Sequence, residues 1–110
     1  MTSERLMIIF GVPTEHLDAV LAAMAEAGAG VVGEYTHCAF TSEGVGQFKP
    51  SAAAHPAYGQ RDQINHVPET RVETFCERHQ ASAIVRAIRR AHPYEEPVIY
   101  VIPLLDEADL

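Results

Sequence analysis

The densest chemistry in the chain is Ala91-His92-Pro93-Tyr94-Glu95-Glu96-Pro97. An imidazole, a phenol and two carboxylates crowd into one short loop, and two prolines stiffen it. Histidine beside carboxylates can hold a divalent metal or act as acid and base. One such cluster lacks a full ligand set, so a structural reading stands beside that one. In it His92 closes a helix end, Tyr94 packs and the two glutamates are solvated.

Other candidates are thinner. His37-Cys38 falls in an expected strand, where neighbouring side chains point to opposite faces. Cys38 then reads as a small buried hydrophobe unless something lowers its thiol pKa. Gly44-x-Gly46 has a phosphate-loop look, but no helix follows and no Lys-Ser/Thr completes it, so a turn explains both glycines. Arg71 and Glu73 share one strand face and would need partners if buried. His55, Arg61 and His66 lie in a long loop with no spacing rule to single them out. No nucleophile elbow, H-E-x-x-H or zinc-finger spacing occurs, so a self-contained enzyme site is the less favoured class and no catalytic residue is assigned.

These residues must be held by elements, and the elements repeat. Leu17, Val20, Leu21 and Met24 have the spacing of one helical face, and Ala81, Ile84, Val85 and Ile88 repeat it 64 positions later. The pattern predicts a strand over Arg5–Val12, then a helix over about Glu15–Ala27 with Thr14 as its N-cap. Gly28-Ala29-Gly30 ends that helix. A long strand is expected over Val31–Thr41, with a hairpin turn at Gly44–Gly46. A loop spans 49–68, a length commonly functional. The second half reads as a strand over Thr70–Cys76, a helix over about Gln80–Ala91, a strand over Val98–Leu104 and a frayed acidic tail. That order is a ferredoxin-like βαββαβ α+β sandwich: an antiparallel sheet, two helices on one face and an extra hairpin. The uncovered face predicts self-association.

Composition narrows the function classes. The 110 residues suit a single domain over 1–110 with its core in about 5–105. The formal charge of −7 argues against nucleic acid, which needs a basic surface. No stretch has the length of a membrane span or the makeup of a signal peptide. A cytoplasmic location is expected, with Cys38 and Cys76 as free thiols.

Five segments resemble a known family when taken in order: Gly33-Glu-Tyr-Thr-His-Cys-Ala-Phe40, Gly44-Val-Gly-Gln-Phe-Lys-Pro50, Pro56-Ala-Tyr-Gly59, Glu69-Thr-Arg-Val-Glu73 and the Ala91–Pro97 loop. The set is similar to the inserted domain of the NIF-three-like proteins, the GTP cyclohydrolase 1 type 2 homologs. The resemblance covers about residues 5–105 and implies a stand-alone version of that insert. It implies a PII-like or CutA-like fold that in related proteins often forms trimers. The family's two-metal site belongs to flanking lobes with no counterpart positions here, so its hydrolase label is not transferred. What carries over is Tyr35, Cys38, Phe40, Gly44, Gly46, Phe48, Glu73, His92, Tyr94, Glu95 and Glu96. Ala39 stands where the family commonly has Ser.

The resulting expectation is a small oligomeric binding or regulatory module, with a trimer favoured. Its ligand set is Cys38, Glu73, His92, Tyr94, Glu95 and Glu96. Glu73, His92 and Glu95 would lie close together near a subunit junction, and His92 and Glu95 would hold a divalent metal ion if the ligand is an ion rather than a small polar molecule. The alternatives are a metal-dependent hydrolase and a purely structural assembly protein.

Overall fold

The strand Arg5–Pro13 (β1) alternates so that Leu6, Ile8, Phe10 and Val12 all point into one core. These coordinates are a computed structural model that describes residues 4–110. β1 is central in a fully antiparallel sheet of four strands, ordered β2-β3-β1-β4, with β2 Phe40–Phe48, β3 Asn65–Glu77 and β4 Ile99–Pro103. The helices α1, Leu17–Glu26, and α2, Ala81–Ala91, cover one face. Val20 and Met24 from α1 meet Ile84 and Ile88 from α2 over Val72 and Cys76 of β3. This is the expected ferredoxin-like α+β sandwich, and no helix among the described residues is long and apolar enough to cross a membrane.

Several boundaries differ from expectation, each for a physical reason. Thr14 does not cap α1 with its side chain. It opens a single 3-10 turn, Thr14–His16, and its Oγ1 pairs instead with Thr70 Oγ1 at 3.1 Å. The strand expected over Val31–Thr41 is a loop up to residue 39. Gly33 and His37 have φ of 55° and 61°, which no strand accommodates, and Val32 and Tyr35 exchange backbone hydrogen bonds across a tight reversal. His37 and Cys38 are therefore not opposite-facing strand residues. The tail is not frayed throughout, because Asp106 accepts from the Ala108 N–H at 2.9 Å and begins a 3-10 turn over Glu107–Asp109.

The expected hairpin turn at Gly44–Gly46 is absent. Both glycines lie inside β2 without positive φ, paired with Glu69 and Val67 of β3. The chain reverses through residues 49–64 instead. β3 begins earlier than expected and contains Pro68, at a point where it has only β2 as a neighbour, since β1 pairs with Glu69–Glu77 alone. A proline, lacking an N–H, is tolerated on such a one-sided stretch.

Candidate functional site

On the uncovered face, β3 presents Glu69, Arg71 and Glu73 in succession, while Thr70, Val72 and Thr74 are buried beneath the helices. Glu69 stands opposite Pro13 of β1 and Gly44 of β2. Its carboxylate lies flat over the two neighbouring strands, because a Cβ on Gly11 or on Gly46 would overlap its oxygens. Glycine inside a strand weakens the strand and here clears space for a close approach. The Tyr94 hydroxyl donates to Glu69 Oε2 at 2.6 Å.

Tyr94 is aimed there by His92. α2 ends when the His92 N–H reaches Ile88 O at 2.9 Å, and Pro93 forbids another turn. The buried His92 ring then bonds the backbone on both sides. Nε2–H donates to Gly11 O at 2.7 Å, and Nδ1 accepts the Tyr94 N–H at 3.1 Å. Burial holds the imidazole below its ordinary pKa, partly offset by the Gly11 carbonyl and Glu69. Burial also pushes the Tyr94 phenol well above its usual range, and the bond to Glu69 adds to that.

The loop over 49–64 closes over this spot. It is braced internally by Arg61 Nε donating to Ala54 O at 2.6 Å and the Asp62 N–H donating to Pro50 O at 2.7 Å. Two bonds fasten it to its surroundings: the His55 N–H donates to Glu95 Oε1 at 3.1 Å, and the Tyr58 hydroxyl donates to Glu15. That second bond lowers the Glu15 pKa and raises that of Tyr58. Between the loop and the sheet lies a cavity of about 310 Å³. Phe48, Tyr58, Tyr94, Glu69, Glu95 and Glu96 are on its walls, and Lys49 is its basic side chain. Tyr94 stands at the centre of an edge-to-face series of rings, 5.7 Å from Phe48 and 5.9 Å from Tyr58.

Of the residues expected to form a site, Tyr94, Glu95 and Glu96 come together on this cavity. His92 supports it from behind with both ring nitrogens committed to backbone groups, so the structure does not present His92 and Glu95 as a ligand pair. Glu73 is elsewhere on the sheet, opposite Phe40, with its carboxylate 3.6 Å from Arg71. Within one copy of the chain Glu73 therefore does not join Glu95 on the cavity, and Glu69 stands there instead. Cys38 closes the 31–37 loop through its backbone, to Gly30 O at 2.9 Å and from Thr74 Oγ1 at 2.9 Å. His66 Nε2 donates to Gln47 Oε1 at 3.1 Å. Among the described residues no three His, Cys, Asp or Glu side chains gather to hold a metal ion. Glu69, Phe48 and Tyr58 all lay in the motif segments but were not singled out as ligand residues. The signal that could have found Glu69 is its parity with Glu73 on β3, read together with the glycines at 11 and 46.

No family model matches the chain. It is 38% identical over 110 residues to a GTP cyclohydrolase 1 type 2 homolog of Halalkalibacterium halodurans, covering 98% of this chain and 29% of that protein. It is 44% identical over 94 residues to one of Mycobacterium leprae, covering 86% and 24%. The chain thus spans less than a third of the length of these relatives. Among solved structures, a Bacillus cereus protein related to NIF3 superimposes with a TM-score of 0.82 at 35% identity, covering 96% of this chain and 27% of that one. CutA1 from Shewanella sp. SIB1 gives 0.69 at 18% identity over 96% and 86%, a likeness of fold alone. Nearly the whole chain is thus homologous to one CutA-like domain, under a third of the length, of NIF3-related proteins named GTP cyclohydrolase 1 type 2 homologs.

Proposed function

We propose that the chain is a homo-oligomeric cytoplasmic binding module whose small ligand enters the cavity between the 49–64 loop and the His92–Pro97 loop. One observation carries this reading: the most chemically dense segment of the sequence and the long loop wall the same cavity. Burial of His92 and the two loop fastenings preform that cavity, as small-ligand sites commonly are. Self-association is supported by exposed apolar side chains on the uncovered face, Phe40 on β2 and Tyr100 on β4, each more than half exposed. The free thiols Cys38 and Cys76 suit a reducing compartment.

The competing hydrolase reading is supported by the relatives' name, and the matched part is under a third of those proteins. A purely structural role would leave the cavity empty under all conditions. Thermal denaturation against divalent metals, nucleotides and small amines, each at hundreds of micromolar, separates a binding module from a structural role, and turnover of a nucleotide that binds would mark the hydrolase. A binding module shows a melting temperature raised by several degrees with at least one class, since a ligand present at many times its Kd stabilises by mass action. If every class leaves the midpoint unmoved, the binding reading fails.

A further inference from the structure

We propose that the ligand of this cavity is a small organic cation, a quaternary ammonium group carried on a short polar chain. This rests on the binding-module reading and gives it a chemistry. Three glutamates face one lysine on the walls, leaving two negative charges at neutral pH. Among the described residues none of Glu69, Glu95 and Glu96 is held in an ion pair. Their recorded partners are neutral donors, the Tyr94 hydroxyl and the His55 N–H. Counter-charge is left for an occupant to supply.

The aromatic walls decide which cation. Phe48, Tyr58 and Tyr94 all line the cavity, and aromatic rings attract a cation through their quadrupoles. Both tyrosine hydroxyls donate toward carboxylates, which pushes electron density into the phenol rings. A divalent metal ion would want several oxygen or nitrogen ligands converging on one point, and among the described residues no three His, Cys, Asp or Glu side chains do so. An anion would meet the glutamates. The volume is at the small end for ligand sites, in keeping with a cation of modest size.

The test is a titration of the isotope-labelled protein, followed by amide chemical shifts, with choline and with 3,3-dimethylbutan-1-ol, its uncharged carbon isostere. Choline is expected to shift the amides of residues 46–49, 54, 55, 57, 58, 94–96 and 98 saturably. The isostere should bind at least tenfold more weakly. Phe48→Leu, which removes one ring but keeps an apolar side chain, should weaken choline about tenfold, within the range of a single cation–π contact. Glu95→Gln should weaken choline and leave the isostere unchanged, which guards against a variant that merely misfolds. Equal binding of choline and isostere, or no saturable shift with choline, overturns the assignment. ATP and magnesium chloride, titrated in parallel, distinguish the two failures. If either moves the same amides while choline does not, the binding module stands and the ammonium ligand falls; if no probe moves them, both fall.

Discussion

His92 is a residue whose protonation the fold opposes. Its pKa is depressed by burial, so between that lowered value and the ordinary value of about 6.5 the unfolded chain binds more protons than the folded one. Stability therefore rises with pH through that window, and acidification below about 6.5 destabilises the protein. Urea denaturation at pH 7.5 and 5.5 should show this difference, and His92→Gln should shrink it. His92→Ala leaves Gly11 O and the Tyr94 N–H without their partner, at a cost of about 1–3 kcal/mol at pH 7.5 and less at pH 5.5. Gly46→Ala makes a different point. The atoms its Cβ would meet are the end of a flexible side chain, so Glu69 swings aside rather than the sheet breaking. The stability change should be small, because alanine in a strand regains roughly 0.5–1 kcal/mol over glycine. The bond from Tyr94 is lost, however, and the Tyr94 phenol should titrate at a clearly lower pH than in the parent protein, as read by tyrosinate absorbance.

At the scale of elements, the turn after α1 is the sensitive one. Gly30 has φ +73°, and a Cβ there would run into the backbone of Cys38, which cannot give way. Gly33 also has positive φ, but its Cβ would meet open space. Gly30→Ala should therefore lose more than the ~1–3 kcal/mol of a strained backbone position, and Gly33→Ala no more than that, by denaturant midpoint. The same elements show what a sequence can and cannot disclose. Both helices and β1 were readable because their burial is periodic along a single segment. The 31–39 loop was not, since Val31, Val32, Tyr35 and Thr36 have strand composition and only the backbone at Gly33 and His37 forbids it. Gly44 and Gly46 read as a turn because the reason for Gly46, the Glu69 carboxylate from β3, lies far along the chain. The choice between Glu69 and Glu73 depended on the register of β3 against two strands, which periodicity does not contain.

For the whole molecule, the two faces of the sheet are unequal. One carries α1 and α2; the other carries the cavity at one end and, over the rest, a mixed strip of Phe40 on β2, Arg71 and Glu73 on β3, and Tyr100 and Ile102 on β4. If copies of this chain cover that strip, light scattering will give a mass that is an integral multiple of 12.0 kDa. Tyr100→Glu combined with Ile102→Glu should then yield a monomer with unchanged helix content, because burying two unpaired carboxylates at a subunit boundary costs several kcal/mol. A parent protein already monomeric at micromolar concentration would refute the assembly.

The strand order has a consequence for how the chain reaches this state. Arg5–Pro13 precedes both of its neighbours by a long stretch of chain, pairing with Glu69–Glu77 and with Ile99–Pro103. Contacts between such distant segments require large loops to close first, which places refolding in the slower range for mixed domains of this size. Until then a segment rich in Leu, Ile, Phe and Val waits without a hydrogen-bonded neighbour on either side. Dilute, quick refolding conditions should accordingly give better yields than concentrated ones, since that waiting segment can pair with its counterpart in another molecule.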